Sequence, residues 1–239
     1  MITVMVINKI PSDSLFVSDL DWPTSRYHFS FADHNDTEKM QFGVLRALND
    51  ETIQPNNGFD THPHDEMEII TYCVRGELSH TDNIGNQVIN KRGDVQYMCA
   101  GSGIMHAEMN AMTNQPLRFM QIWILPNKAG LPPQYSSKSF PQHSRQNRLL
   151  QIASGNGTKD AFQINQDANV FVAELTKGEQ IEFVAQKNRQ GYLVCIEGLL
   201  NINGIELDQH EALQLVGNQS AVFEAVETSH LLLVEMAEG

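Results

Sequence analysis

Cysteine is scarce in this 239-residue chain, which has only Cys73, Cys99 and Cys195. They lie far apart among apolar or small residues, and an odd number of cysteines does not fit a framework of disulfide bonds. We therefore expect buried free thiols and a reducing compartment. The sequence also lacks an apolar run of about 18 residues, the length that spans a bilayer, and Met1–Ile10 does not resemble a secretion signal. These absences predict a cytoplasmic protein.

Positive charge is also scarce. Lysine and arginine number 16 against 29 aspartates and glutamates, which gives a formal net charge of −13 at pH 7. An acidic surface repels nucleic-acid phosphates and anionic lipid headgroups, so neither nucleic acid nor a membrane is an expected partner. A small molecule or a protein partner remains compatible with this charge.

Helical patterns are missing from the first half, where short β-prone segments follow one another. Residues 66–98 read strand, turn, strand, turn, strand, and the strongly β-prone Met67–Val74 comes first. Three aromatic residues alternate in Tyr27–Phe31, which predicts a strand with one buried face. Short strands at intervals of about 8 to 12 residues favour an all-β sandwich or barrel.

The second half repeats this plan. Seven β-prone segments separated by turns lie between residues 171 and 234. The turn at Glu197–Gly198 also echoes the earlier turn at Arg75–Glu77. A repeated order of strands and turns predicts an internal duplication with one divergent copy.

The boundary between the halves is predicted from residues 127–147, which are rich in proline, serine and glutamine and show little alternation. Such a composition is typical of a linker or a wrap-around segment. We predict an N-terminal domain over residues 1–130, a linker over 131–147 and a C-terminal domain over 148–239.

Two short pairs of residues carry the chemistry that the sequence reveals: His62 with His64, and His106 with Glu108. Residues two apart on a strand point to the same face, so each pair directs both side chains into one space. Three imidazoles and one carboxylate suit a first-row divalent metal ion. No cysteine joins them, which argues against a closed structural zinc site. Because Pro63 cannot donate to a ladder, its strand must be an edge, a strand start or a bulge at that point.

The other histidines considered are solitary in the sequence: His28 and His34 in the first half, and His210 and His230 in the second. A lone histidine is more often a hydrogen-bonded structural residue than a metal ligand. We therefore leave these four out of the site and expect the second domain to be free of metal. Apolar residues near the two pairs are candidates for lining a flat pocket, although methionine commonly fills gaps in a core. These candidates are Phe59, Met98, Met105, Met109 and Phe119.

Both pairs lie in glycine-flanked blocks that resemble the two cupin motifs, although Gly101 stands where the second motif usually has proline. More closely, residues 27–125 resemble the pirin family. The segments that carry this resemblance are His62–His64, Glu68, Thr71–Tyr72, Gly76–Leu78, His80, Asp82, Gly85–Asn86, Gly93–Gln96 and Ala100–Glu108.

The resemblance implies an all-β bicupin with two antiparallel β-barrel (double-stranded β-helix) domains, of which only the N-terminal one has metal ligands. In pirins the ligands correspond to His62, His64, His106 and Glu108. Glu68 is the rival carboxylate, because many cupins take their glutamate from the first motif. Otherwise Glu68 supports a ligand histidine or is an ordinary solvated carboxylate.

The resemblance also implies a function. Bacterial pirin-like proteins are linked to quercetin 2,3-dioxygenase activity, which implies a small aromatic substrate, O2 and a divalent metal cofactor. Fe(II) is the expected ion, and Ni, Cu, Mn, Co and Zn are alternatives. Glu108 is then the candidate catalytic base for the 3-hydroxyl proton of a flavonol.

Two other functions remain open. The animal pirin is described as an iron-dependent transcriptional co-regulator, so the alternative is a metal-dependent, redox-sensing binding protein that regulates a protein partner without turnover. A small-molecule store or an inactive cupin is the third possibility. A monomer is expected in each case, because the two domains of a bicupin already bury each other.

Overall fold

The computed structural model describes residues 6–217 and 220–238. As the sequence predicts, the regular structure of these residues is almost entirely β, with short 3₁₀ helices at Ser12–Ser14 and Gln142–Ser144. None of the helices in these residues is long and apolar enough to span a bilayer. The strands in chain order are β1 (Val6–Ile10), β2 (Phe16–Asp19), β3 (Pro23–Tyr27), β4 (Leu45–Ile53), β5 (Gly58–His64), β6 (Glu68–Arg75), β7 (Glu77–Asp82), β8 (Gln87–Lys91), β9 (Asp94–Cys99), β10 (Ile104–Asn110), β11 (Leu117–Ile124), β12 (Gln134–Ser139), β13 (Leu150–Ser154), β14 (Phe162–Gln163), β15 (Ala168–Leu175), β16 (Gln180–Val184), β17 (Arg189–Glu197), β18 (Leu199–Ile202), β19 (Ile205–Asp208), β20 (Ala212–Val216), β21 (Ser220–Ala225) and β22 (Ser229–Ala237).

The described residues form two compact units. The first unit contains Phe16–Gln41 and Leu45–Phe140. The second contains the described parts of Met1–Leu15, Phe42–Val44 and Pro141–Gly239. The predicted domain boundaries at residues 130 and 148 stay a prediction. The predicted linker between them is not irregular throughout, because β12 lies within it.

Strand β12 pairs with β9 at the edge of a sheet of the first unit. Five of its six residues, Gln134–Ser139, are serine, glutamine or lysine, and most of the six side chains are exposed. An exposed edge strand needs no alternating apolar residues, because neither of its faces is fully buried. The sequence pattern therefore could not distinguish this strand from a linker.

The first unit consists of two antiparallel sheets. One has the order β12-β9-β6-β11-β4-β3-β2, and the other has the order β5-β10-β7-β8. A buried apolar cluster joins them, because Leu78 of the smaller sheet packs with Cys73 and Phe119 of the larger one. Burying apolar side chains stabilises such a pair of sheets by about 25 cal/mol per Å². The smaller sheet, which holds both predicted pairs of site residues, is thereby fixed against the larger one.

The second unit follows the same plan, with sheet orders β1-β20-β17-β22-β15-β13-β14 and β16-β21-β18-β19. The turn after β6 and the turn after β17 also correspond. Gly76 and Gly198 adopt φ values of 82° and 86° at these turns, and the preceding Cys73 and Cys195 each direct a thiol at the carbonyl oxygen of the turn glycine. This shared detail supports the predicted internal duplication.

The prediction of a strand over Tyr27–Phe31 is wrong in its position. Strand β3 begins earlier and ends at Tyr27, and the chain then turns, with Ala32 at φ 49° and a bridge between Phe31 and His34. The alternating aromatic residues therefore do not report a paired strand. Tyr27 and Phe31 instead line a cavity beside the predicted metal site.

Candidate metal centre

The two predicted pairs lie on neighbouring strands of the smaller sheet in the first unit. Strands β5 and β10 run antiparallel, with His62 opposite His106 and His64 opposite Ile104. The register shifts between His106 and Glu108, which marks a bulge. Strand β5 is the edge of its sheet, so Pro63 costs no ladder hydrogen bond on its open side. Of the alternatives expected for Pro63, the structure therefore shows the edge, and the bulge lies farther along, between His106 and Glu108.

The three imidazoles come together. The ring centroids of His62 and His106 are 4.5 Å apart, and the centroid of His64 is 4.8 Å from each of them. One ring nitrogen of each residue lies within 4.8 Å of the other two. Among the described residues, the buried Nε2 atom of His106 has no hydrogen-bond partner. Buried polar atoms are rarely left in this state without a ligand, an ion or a water molecule.

Glu108 is buried and held by two amides. Gln96 donates a 2.7 Å hydrogen bond to Oε1, and Gln121 donates a 2.8 Å bond to Oε2. Each carboxylate oxygen accepts one of these bonds and keeps a second lone pair. A carboxylate oxygen of Glu108 also forms a second close set with ring nitrogens of His80 and His106. The two sets share His106, so the structure brings all four predicted residues into one region.

His80 is the residue of this region that sequence reasoning missed. Its side chain is fully buried between strands, opposite Glu108 in the pairing of β7 with β10. Its ring stacks on Tyr135 at a centroid distance of 4.1 Å, and its Nδ1 lies 3.4 Å from Nδ1 of His106. The signal was the short motif of His80 and Asp82 two residues apart, which resembles the histidine pairs. Only the register of β7 against β10 shows that His80 and Asp82 lie beside His106 and Glu108.

Burial disfavours the protonated form of two of the imidazoles, those of His64 and His106. It lowers the pKa of His64 to about 3, and the neighbouring rings of His106 and His62 add to this effect. The pKa of His106 also falls to about 3, through burial and the rings of His62 and His80. Neutral imidazole is the form that ligates a metal ion, because coordination uses the lone pair that a proton would occupy.

Burial shifts the pKa of the Glu108 carboxyl group in the opposite direction. Burial raises the pKa of Glu108, while His80, His62 and the two glutamine amides favour the charged form. A nearby cation would lower this pKa again, because an opposite charge stabilises the carboxylate.

Glu68, the rival carboxylate, lies in neither of the two close sets of the described residues. It is fully buried, and the hydroxyl of Tyr97 donates a 2.6 Å hydrogen bond to its Oε1. The interpretation of Glu68 as a solvated strand carboxylate is therefore wrong.

A cavity of about 220 Å³ adjoins the site. Of the predicted lining residues, Phe59 lies in its wall, whereas Met98 and Phe119 belong to buried core clusters and Met105 is exposed. None of the predicted methionines, Met98, Met105 and Met109, lines this cavity, and much of its wall is aromatic. The cavity is lined by Tyr27, Phe31, Ala32, Glu51, Phe59, His62, His64, Glu108, Gln121 and Trp123.

Glu51 is a second carboxyl group in the cavity wall. It is buried, and the Ser25 hydroxyl donates a hydrogen bond to its Oε2. Burial raises the pKa of Glu51 to about 8, and the charges of Asp50 and Glu108 add to this shift against the hydrogen bonds from Ser25 and Asn49. The nearby Arg118 pairs with Asp50 at 2.7 Å and 2.8 Å.

Two of the four solitary histidines make contacts outside the candidate metal centre. His34 stacks on Phe16 at 4.0 Å, and His230 lies 3.3 Å from a carboxylate oxygen of Glu197 in the second unit. Both close sets of possible metal ligands in residues 6–217 and 220–238 fall in the first unit. Absence of metal from the second unit stays a prediction.

Comparisons with known proteins agree with this architecture. The family profile described as Pirin matches residues 10–124, and the profile described as Quercetinase C-terminal cupin domain matches residues 151–236. A pirin-like protein of Caulobacter vibrioides is 40% identical over 97% of this chain and 100% of its own length. A quercetin 2,3-dioxygenase of Escherichia coli K12 is 32% identical over 90% of this chain and 92% of its own length.

A solved structure shows the same fold. The bacterial pirin YhhW of Escherichia coli, in complex with nickel(II), superposes with a TM-score of 0.92. It is 29% identical, over 98% of this chain and 100% of the other. The predicted bicupin fold is thereby confirmed, with one qualification: the strands of each unit form two sheets of the jelly-roll type, not one continuously bonded barrel.

Proposed function

Because the chain belongs to the pirin family, we propose that it is a metal-dependent dioxygenase that opens flavonols such as quercetin with O2. The observation that carries this proposal is the set of three imidazoles, of which His62 and His64 line an aromatic cavity together with Glu108. The relatives named for quercetin 2,3-dioxygenase activity support the same reaction class.

The residues present fit a divalent cation. Two donors that each lie about 2.1 Å from one ion are at most about 4.2 Å apart, and the three ring nitrogens already lie within 4.8 Å of one another. A cation would also satisfy the buried Nε2 of His106. We propose His62, His64, His106 and Glu108 as its ligands.

Fe(II) is the proposed ion, because a nitrogen and carboxylate donor set with open positions suits oxygen chemistry. Nickel is its first rival, since the related Escherichia coli pirin was solved in complex with nickel(II). Cu, Mn, Co and Zn complete the candidates. When bound, the cation would supply a Lewis-acidic position for an anionic substrate oxygen and for O2.

Glu108 is the proposed base. A carboxylate in the cavity wall can accept the proton of the flavonol 3-hydroxyl, and the amides of Gln96 and Gln121 hold it in one orientation. A base that also ligates the cation must loosen its hold to accept this proton. The proposed reaction takes up one O2, opens the heterocyclic ring and releases carbon monoxide.

The cavity supplies the binding surface for the substrate. Phe31, Phe59 and Trp123 present aromatic faces or edges near the imidazoles, with the rings of His64 and Trp123 at 4.8 Å. Flat aromatic ligands pack on such walls through offset or edge-to-face contacts. Aromatic walls also keep water away from a deprotonated flavonol.

Reconstitution tests this proposal. The purified chain would be loaded in turn with Fe(II), Ni(II), Mn(II), Co(II), Cu(II) and Zn(II) and offered quercetin under O2. We expect oxygen uptake and carbon monoxide release with at least one ion. His62→Ala should lose both the bound metal and the uptake while remaining folded, and His230→Ala in the second unit should retain both. Absence of uptake with every ion would contradict the dioxygenase and favour a metal-dependent binding protein that regulates a partner.

The proposal also includes the setting in which the protein works. We propose a cytoplasmic monomer, in keeping with three buried cysteine side chains. Its partners would be a small aromatic substrate and O2, without nucleic acid or membrane.

A further inference from the structure

Strand β7 places a histidine and an aspartate behind the imidazole cluster. In the pairing of β7 with β10, Asp82 lies opposite His106 and His80 lies opposite Glu108. The Nδ1 atoms of His106 and His80 are 3.4 Å apart, and Nε2 of His80 is 3.1 Å from Oδ2 of Asp82. The side chains of His80 and Asp82 have no exposed surface. Three buried side chains therefore form a continuous chain of polar contacts.

The protons in this chain can be assigned from the contacts. Asp82 Oδ2 is an acceptor, so Nε2 of His80 carries a proton and donates it. With the ring proton of His80 on Nε2, Nδ1 of His80 is an acceptor, and Nδ1 of His106 donates to it. This leaves the lone pair of His106 on Nε2, the buried atom that has no hydrogen-bond partner among the described residues. Among the imidazole nitrogens of His80 and His106, Nε2 of His106 is therefore the one that is free to bind an ion.

Both residues of β7 are themselves held in place. Asp82 Oδ1 accepts hydrogen bonds from the backbone amides of Ile84 and Asn86, and Oδ2 accepts one from the side chain of Asn86. The His80 ring is stacked almost parallel on Tyr135, with an angle of 14° between the planes. The chain of contacts is therefore anchored at its far end.

We propose that His80 and Asp82 are positioning residues that fix the tautomer and orientation of His106 and pass the negative charge of Asp82 toward an ion on its Nε2. This inference rests on the metal site of the proposed function. Groups that orient a ligand imidazole in this way commonly contribute about 10- to 100-fold to metal affinity. Neither residue touches the cavity, so neither is assigned contact with substrate.

Two variants separate this role from packing. His80→Phe keeps the stacking on Tyr135 but removes the acceptor for His106. Asp82→Asn keeps an oxygen for the two backbone amides but turns an NH2 group toward His80, where Nε2 also donates. The matched control is His230→Phe, which removes a buried histidine beside a carboxylate in the second unit. Circular dichroism checks that each variant is folded, and Asp82→Asn decides alone if His80→Phe does not fold.

The first readout is the dissociation constant for Co(II), measured by competition with a chelator. We expect His80→Phe and Asp82→Asn to weaken Co(II) binding by about 10- to 100-fold and His230→Phe to leave it unchanged. The absorption bands of bound Co(II) should shift in both first-unit variants. Dissociation constants within twofold of the wild type in both variants would overturn the proposal. Loss of binding as complete as in His106→Ala would also overturn it, because His80 would then be a ligand itself.

The second readout is independent of turnover. In the zinc-loaded full chain, long-range ¹H–¹⁵N spectra should show a proton on Nδ1 of His106 and a proton on Nε2 of His80. The opposite tautomers would overturn the assignment. A wild type that binds Co(II) but consumes no oxygen with any of the six ions would contradict the proposed reaction and leave these comparisons intact.

Discussion

Glu51 and Glu108 line the same cavity, but their carboxyl groups are held differently. Both oxygens of Glu108 accept hydrogen bonds from glutamine amides, which favour the charged form against the burial that raises the pKa of this group. Glu51 accepts a hydrogen bond from Ser25, and the adjacent Asp50 forms an ion pair with Arg118. Burial therefore dominates at Glu51 and favours its protonated form.

Glu51 should make the stability of the metal-free protein depend on pH. Its pKa is about 8 in the folded chain and returns to its ordinary value of 4.5 on unfolding. Between these values the folded state binds more protons, so the free energy of unfolding falls as pH rises, by up to about 1.4 kcal/mol per pH unit. Glu51→Gln mimics the protonated group and should remove this part of the dependence.

Urea unfolding of the metal-free chain at pH 5.5 and 7.5 measures this effect. The stability of Glu51→Gln relative to the wild type should rise by about 2 to 3 kcal/mol between the two pH values. Glu38→Gln, a change at an exposed glutamate, should follow the wild type. Parallel pH dependences of Glu51→Gln and the wild type would show that Glu51 is ionised in the folded state.

The sequence could predict those residues of the site whose common direction depends only on their spacing along one strand. His62 with His64, and His106 with Glu108, are each two residues apart and face one side. His80 could not be assigned in the same way, because its place depends on a third strand and its register. The sequence also could not predict the aromatic walls of the cavity, because residues far apart in the chain form them.

At the scale of single elements, the turn between β9 and β10 depends on a glycine. Gly101 adopts φ 47°, and a Cβ atom built on it would lie 2.0 Å from the carbonyl oxygen of Leu131. That oxygen also accepts a hydrogen bond from the amide of Ser102. Proline, which cupin motifs usually have here, is fixed near φ −65° and cannot adopt this conformation. The departure from the cupin pattern thus follows from the local backbone.

Gly101→Ala should destabilise the first unit strongly. A positive φ alone costs an alanine about 1 to 2 kcal/mol, and the contact with the Leu131 carbonyl should raise the total above about 3 kcal/mol. Gly130→Ala is the matched control, because Gly130 has φ 70° but no neighbour within 4 Å of its built Cβ.

Thermal unfolding followed by circular dichroism compares the two variants. At about 2 to 4 °C per kcal/mol for a chain of this size, Gly101→Ala should lower the transition by at least about 6 °C. The control should lower it by less. Equal decreases of the unfolding temperature in the two variants would show that the backbone at Leu131 moves aside without loss of stability.

Elements rich in apolar, β-prone residues were the ones that the sequence could place. The segments expected from Phe171 to Val234 fall within β15 to β18 and β20 to β22. The short β19 and the polar β12 were not predicted, because both are edge strands with little apolar pattern to detect. The predicted strand over Tyr27–Phe31 failed for a different reason: the paired strand ends at Tyr27, and Tyr27 and Phe31 line a cavity.

At the scale of the whole molecule, two units with one plan differ in chemistry. Strands β5 and β10 of the first unit carry three histidines and Glu108, whereas the corresponding β16 and β21 of the second unit carry no histidine. The sequence predicted this asymmetry from the motifs. It did not predict that β1, at the start of the chain, pairs with β20 of the second unit, because such a pairing leaves no local signal.

The central claim is that the first unit holds one divalent cation among His62, His64, His106 and Glu108. Anomalous diffraction at the absorption edge of the bound metal tests it most directly, on crystals of protein purified without chelator. The account predicts one peak per chain within about 2.5 Å of the three imidazole nitrogens and a Glu108 oxygen. A peak bonded instead to His80, or metal-loaded crystals without a peak among these residues, would contradict it.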